Sequence, residues 1–219
     1  MILYHGSSAI VDKPLYGFGK VHNDYGQGFY CTEDIELARE WASQAPEGGF
    51  VNRYELDFEG MKVFDLSKLK LVSWIAMLLD NRVIRYSSPI ERRAADYIIN
   101  AFLPAMEGYD LITGYRADDS YFSYARAFLS NTISLQQLGI AVRLGNLGTQ
   151  VCLKSPKSFE ALRFEQAEPV DGEIYYPKRM ERDNKARNEY YRLLEEETAD
   201  GIYIRDIINK EMTFDEFSI

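Results

Sequence analysis

The sequence has few of the residues that hold small or metal-dependent folds together. Cys31 and Cys152 are its only cysteines, and His5 and His22 are its only histidines among 219 residues. Two cysteines cannot build a disulfide framework, and these four residues do not have the spacing of a zinc site. We therefore expect no metal, and a fold that rests on a hydrophobic core, which a chain of this length can bury.

Long apolar runs and an excess of basic residues are also absent. The longest apolar run, Trp74 to Leu79, is far too short to cross a bilayer, and the opening MILYHGSS does not resemble a signal peptide. We expect a reduced, cytoplasmic protein with no membrane partner, although export without a cleavable signal stays open. With 25 Lys and Arg against 34 Asp and Glu, the net charge of −9 argues against indiscriminate nucleic-acid binding. A local basic patch stays open.

The acidic excess is concentrated toward the C-terminus. Residues 167–219 hold 14 acidic and 8 basic residues, a net charge of −6, so residues 1–166 carry the remaining −3. Pro169, Gly172 and Pro177 interrupt the chain near this change. We therefore predict a main domain of residues 1–166 and an acidic, helical C-terminal extension of residues 167–219.

Hydrophobic periodicity predicts a protein of mixed α and β structure. Short or alternating apolar runs predict strands at residues 2–5, 28–32, 54–58, 61–66, 110–113, 149–154 and 159–164. Apolar residues at helical spacing predict helices after residue 32, within 67–106, and at 121–129, 135–144 and 178–198. Glycines and prolines in residues 13–28 predict a loop between the first two strands.

Three short motifs stand out because of their order. His5-Gly6-Ser7 ends the first predicted strand, Gly26-Gln27-Gly28-Phe29-Tyr30 enters the second, and Gln150 lies on a late strand. A helix carrying Trp41 follows the second motif. Each motif alone is weak evidence, since short patterns match many sequences by chance. Their succession along the chain is the informative feature.

In this order the motifs resemble the ADP-ribosyltransferase superfamily, in the branch of diphtheria toxin and the poly-ADP-ribose polymerases. That branch has H-G-S/T on the first strand, G-x-G-x-Y on the second and Glu on a late strand. Residues 1–166 also resemble the uncharacterised bacterial domain-of-unknown-function family 3990, with Gln150 in place of the late Glu and with the tripeptide Ala117-Asp118-Asp119. The resemblance implies an α+β fold with a split antiparallel β-sheet core, helical insertions and, in this chain, a helical C-terminal extension.

The resemblance also implies an activity, namely NAD-dependent mono-ADP-ribosyl transfer to an unknown protein or nucleic-acid acceptor. A bacterial toxin or effector with an antitoxin-like protein partner is the context that it suggests. NAD would be the substrate, with His5 on a ribose, Gly6 and Ser7 on the nicotinamide amide, and Tyr30 stacked on the ring. Gly28 and Trp41 complete the residues expected to bind NAD. The residues expected to take part in catalysis are His5, Tyr30, Gln150, Asp118 and Asp119.

Elementary chemistry agrees with several of these roles and questions one. Gly6 has no Cβ and allows close approach, and Tyr30 offers a broad aromatic face. Gln150 can accept a hydrogen bond from a ribose hydroxyl, but it cannot carry the negative charge that stabilises a ribosyl cation. Asp118 or Asp119 is a candidate for that charge, with a turn or helix cap as the structural alternative. For His5, Tyr30 and Trp41 the structural alternative is packing in the core.

Other function classes stay open at this point. The presence of Gln150 in place of the Glu on the late strand fits a catalytically inactive NAD-binding or protein-interaction module with the same fold. A scaffold without a nucleotide site is a third reading. The superfamily also contains an enzyme that removes a tRNA 2′-phosphate with NAD. That group relies on basic residues around the phosphate, and the acid excess of this chain argues against it.

Overall fold

A computed structural model describes residues 1–117, 119–144, 148–195 and 201–217. Seven strands make up its sheets: β1 (Ile2–Ser7), β2 (Phe29–Cys31), β3 (Gly49–Leu56), β4 (Val63–Asp65), β5 (Leu111–Tyr115), β6 (Thr149–Leu153) and β7 (Leu162–Val170). Its α-helices are α1 (Ile35–Ala42), α2 (Leu71–Asn81), α3 (Pro89–Phe102), α4 (Asp119–Leu129), α5 (Leu135–Leu144), α6 (Pro156–Glu160), α7 (Gly172–Glu195) and α8 (Ile204–Asn209). The predicted α+β class is confirmed.

The strands form two sheets. One has the order β1-β3-β7 and is antiparallel throughout, and the other has the order β2-β6-β5-β4. The second sheet departs from the expected antiparallel core, because β4 runs parallel to β5. Parallel neighbours need a long crossover, which α2 and α3 provide. The sheets meet where Tyr4 of β1 exchanges two backbone hydrogen bonds with Thr32, at 2.8 and 2.9 Å.

The main hydrophobic cluster lies between the second sheet and the helices α2 to α5. Ile112 and Cys152 of the sheet are buried in the same cluster as apolar side chains of α2, such as Ile75 and Leu78. Burial of this apolar surface is the largest favourable contribution to folding. Among the described residues, no helix has both the length and the apolarity needed to cross a bilayer.

The C-terminal residues pack onto this core. β7 runs through the predicted boundary at residue 166, and its last residue, Val170, is buried. Further along the chain, Ile204 and Ile207 of α8 are buried in the main cluster, and the ring of Phe217 lies 5.3 Å from that of Phe102. Through these contacts the later residues form part of the wall around the core. The division into residues 1–166 and 167–219 stays a prediction.

Candidate functional site

A cavity of about 680 Å³ opens between the two sheets, α1 and α7. Its volume lies within the range of small-molecule sites, about 300–1,000 Å³. The end of β1, the glycine-rich loop before β2, α1, β6 and α7 all contribute residues to its wall. Segments that are far apart in the sequence therefore converge on one concave surface.

Four of the residues singled out in the sequence line this cavity, namely Gly6, Tyr30, Trp41 and Gln150. The hydroxyl of Tyr30 donates to the carbonyl of Gly26 at 2.6 Å and accepts from the backbone N–H of Tyr25 at 2.9 Å. Burial raises the pKa of Tyr30, so the phenol keeps its proton. These bonds fix the ring as a neutral aromatic surface at the cavity.

Gly6 is required by the packing of α1. A Cβ at this position would lie 1.9 Å from the carbonyl oxygen of Ala38 and 2.6 Å from the backbone nitrogen of Ala42. The close backbone approach that the sequence suggested for a ligand is therefore, first of all, an approach of helix α1 to strand β1. This approach brings Trp41, on the same helix, to the cavity.

Trp41 presents a half-buried indole to the cavity. The guanidinium carbon of Arg116 lies 5.1 Å from the centre of the indole ring, within the range of a cation–π contact. The indole Nε1 is buried and has no hydrogen-bond partner among the described residues. A buried donor without a partner is uncommon in folded proteins.

His5 contacts the backbone of Tyr30, and it is not among the described residues that line the cavity. Its Nδ1 bonds to the carbonyl oxygen of Tyr30 at 2.7 Å, and its ring centre lies 4.5 Å from that of Phe29. Since a carbonyl only accepts, Nδ1 is the donor. Burial lowers the pKa of His5, so the imidazole is held neutral. In this geometry His5 supports the backbone of Tyr30.

Ser7 and Gly28 also lie away from the cavity wall. The Ser7 hydroxyl donates to the carbonyl of Ala9 at 2.6 Å and accepts from Asn52 at 3.1 Å. A Cβ on Gly28 would lie 2.4 Å from the sulfur of Cys152, so glycine permits the close pairing of β2 with β6. Asp118 lies outside the described residues, and Asp119 begins α4.

Gln150 contacts the acid Asp24, a residue of the glycine-rich loop that the sequence did not single out. Asp24 Oδ2 accepts from Gln150 Nε2 at 2.9 Å and from the backbone N–H of Ala117 at 2.8 Å. Its Oδ1 accepts from Arg82 Nε at 2.9 Å and from Nη2 at 2.7 Å. Asp24 and Gln150 are both buried, and both line the cavity. The ion pair of Asp24 with the half-buried Arg82 is held by the hydrogen bonds that the carboxylate accepts.

The cavity is more basic than the chain as a whole. Its described lining includes three acidic side chains, Asp24, Glu40 and Asp183, against six basic ones: Lys20, Arg82, Arg116, Arg179, Arg182 and Arg187. Burial raises the pKa of Glu40, while Arg182, 2.7 Å away, acts against that rise. The net charge of −9 therefore does not describe the site.

Neither a metal site nor a reactive thiol was found in the part of the chain that the structure describes. There, no group of three or more His, Cys, Asp or Glu side chains is arranged to hold a metal ion. Both cysteines are free and buried, and burial raises the pKa of Cys152 to about 12. A thiol with so high a pKa is not ionised at neutral pH and is a poor nucleophile.

Comparison with known proteins places the chain in a family. The model of a family described as protein of unknown function (DUF3990) matches residues 1–164, about three quarters of the chain. No match was found among curated proteins or among solved structures. The predicted resemblance to this family is thereby confirmed, and the chain belongs to the DUF3990 family of proteins of unknown function.

Proposed function

We propose that the protein binds NAD in the cavity and transfers its ADP-ribose to a macromolecular acceptor. The observation that carries the proposal is the convergence of Gly6, Tyr30, Trp41 and Gln150 on one cavity of about 680 Å³. Two aromatic surfaces suit a pyridine ring, and the arginines around them suit the pyrophosphate of a dinucleotide.

The transfer step needs a group that stabilises positive charge on the ribose. The C1′–N bond to nicotinamide breaks, and its electron pair leaves with nicotinamide as a neutral molecule. The acceptor's oxygen or nitrogen then bonds to C1′ and releases its proton to solvent. In this proposal Gln150 accepts a hydrogen bond from the ribose, and the Asp24 carboxylate 2.9 Å from its amide supplies the nearby negative charge.

One observation favours a second function, an NAD-binding module that does not transfer. Asp24 already accepts four hydrogen bonds, two of them from Arg82. A carboxylate so fully paired offers less of its charge to a ribosyl cation than a free one would. Binding without turnover is the outcome that this alternative predicts.

The two functions are separated by measuring binding and nicotinamide release on the same protein. The chain has two tryptophans, Trp41 at the cavity and Trp74 buried in the core. NAD should therefore quench tryptophan fluorescence, and Trp41→Phe should abolish the quenching while Trp74→Phe retains it. Release of labelled nicotinamide from NAD, with a lysate as source of acceptors, then reports chemistry.

The enzyme reading predicts that Asp24→Asn lowers the release rate at least about 100-fold, the usual effect of removing one electrostatic contact to the transition state. Asp96→Asn, which changes an exposed acid on α3, is the matched control and should release nicotinamide at the wild-type rate. Quenching without release supports the binding module. Neither quenching nor release at millimolar NAD would overturn the proposal.

A further inference from the structure

Helix α7 turns one basic face toward the cavity. Arg179, Arg182, Asp183 and Arg187 line it, and their positions i, i+3, i+4 and i+8 lie on one side of a helix. Lys178, Lys185 and Arg192 recur every seven residues on another side and are not among the described lining residues. Two basic faces of one helix thus have different surroundings.

Contacts with α1 hold this helix in place. The hydroxyl of Tyr175 lies 3.2 Å from Oε2 of Glu36, and Lys178 Nζ lies 3.7 Å from the same oxygen. Further along, Arg182 Nη2 donates to Glu40 Oε1 at 2.7 Å. The cavity-facing arginines are therefore presented by a helix that is fixed to the body of the protein.

Three of the cations at the cavity are not balanced by a contacting acid. Arg82 pairs with Asp24 and Arg182 with Glu40, whereas Lys20, Arg179 and Arg187 form no hydrogen bond or ion pair with any described residue. Asp183 lies between the two arginines on the helix face and offsets part of their charge. The chain has a net charge of −9, so this excess of positive charge is local to the cavity. A bound anion would neutralise it.

We propose that Arg179 and Arg187 of α7, with Lys20 of the glycine-rich loop, form a phosphate-binding wall of the cavity. The planar guanidinium group binds phosphate oxygens through paired, charge-assisted hydrogen bonds, which is why arginine is the usual residue for this task. The phosphate belongs either to the dinucleotide of the proposed function or to an acceptor that binds beside it. Residues 172–195, which carry the two arginines, lie outside residues 1–164 that the family model matches.

The inference changes what is expected of the C-terminal extension. If residues 167–219 were only an appendage, their removal would leave NAD binding intact. With part of the cavity wall on α7, and with β7 in the first sheet, that removal should instead impair both folding and binding. Point substitutions on α7 are therefore the informative variants.

The test is a calorimetric titration of inorganic pyrophosphate into the 219-residue chain. Arg179→Gln/Arg187→Gln removes two charges at the cavity, and the matched control Lys185→Gln/Arg192→Gln removes two charges from the other face of the same helix. Each lost charge-assisted contact weakens binding about 10-fold, so the first double variant should raise the Kd about 100-fold. The control should retain the wild-type Kd, and added salt should weaken wild-type binding.

Repeating the titration with NAD identifies the source of the phosphate. If the wall holds the dinucleotide, the cavity variant weakens NAD and pyrophosphate alike, and the two ligands compete. If it holds an acceptor's phosphate, NAD binding is unchanged and pyrophosphate still binds to the NAD-loaded protein. The proposal is overturned if the wild type binds no pyrophosphate at millimolar concentration, or if both double variants bind it equally. Nicotinamide release is not part of this readout, so failure of the proposed chemistry leaves the test valid.

Discussion

The side-chain amide of Gln150 donates a hydrogen bond to the carboxylate of Asp24 across 2.9 Å, and both residues are buried at the cavity. The two are 126 positions apart in the sequence. An amide can donate in this position, whereas a carboxylate at position 150 could not. The glutamine is therefore matched to an acid from a different segment of the chain.

Gln150→Glu should destabilise the protein, and increasingly so as the pH rises. Two carboxyl groups about 3 Å apart cannot both ionise easily, so one keeps its proton in the folded state above the pH at which it ionises in the unfolded chain. Stability then falls as pH rises above about 4.3. We expect a loss of about 1.5–3 kcal/mol at pH 8 and a smaller one at pH 5, measured by urea unfolding.

Gln150→Met is the control for this effect, since it removes the hydrogen bond without adding a charge. Its loss of stability should not depend on pH in the same range. An equal pH profile for the two variants would show that Gln150 and Asp24 do not interact as described.

His5 should make the fold sensitive to acid. Because burial lowers the pKa of His5, the unfolded chain binds a proton that the folded chain does not, and stability declines as pH falls below about 6.5. One such group contributes at most about 1.4 kcal/mol for each pH unit. His5→Asn retains a donor for the Tyr30 carbonyl and should flatten the decline between pH 7 and 5 in urea unfolding.

The second histidine of the chain serves as the comparison. His22 is exposed, and His22→Gln should leave the acid-induced loss of stability as it is in the wild type. If His22→Gln flattens the profile and His5→Asn does not, the lowered pKa of His5 as the cause of the acid sensitivity is contradicted.

Gly6→Ala should be among the more damaging small substitutions in the chain. The added Cβ would lie 1.9 Å from the Ala38 carbonyl, so α1 must move, at a cost of about 3 kcal/mol. Gly17→Ala meets no atom within 4 Å and bears only the strain of a φ of 78°, about 1 kcal/mol. Urea unfolding of both variants measures the difference, and equal losses would mean that α1 does not pack on β1 as described.

Much of the secondary structure followed from the sequence because its signals are local. Apolar spacing predicted α4 and α5, and the alternation around Cys152 predicted β6. The last strand was less accurate, since residues 156–160 form a short helix and β7 starts at residue 162. Local patterns do not specify which strands pair or in which direction, so the parallel pairing of β4 with β5 was not predicted.

The candidate site was predictable only in part. Gly6, Tyr30 and Gln150 lie in motifs, whereas Asp24 meets Gln150, 126 positions away, through a contact that no short pattern encodes. The arginines of α7 at the cavity were not predicted, because the extension as a whole has a negative net charge. The spacing of Arg179 and Arg187 nevertheless places both on one face of a predicted helix. The charge pattern along that helix face, rather than the net charge of the segment, indicates the basic side of α7.

The most direct test of the proposed NAD site is a crystal structure of the 219-residue chain grown with NAD. We expect the nicotinamide ring, or the ADP-ribose left after its release, in the cavity, with contacts of about 4 Å to Tyr30 and Trp41 and a ribose beside Gln150. An intact or cleaved dinucleotide bound elsewhere on the surface, or a cavity that stays empty at saturating NAD, would contradict it.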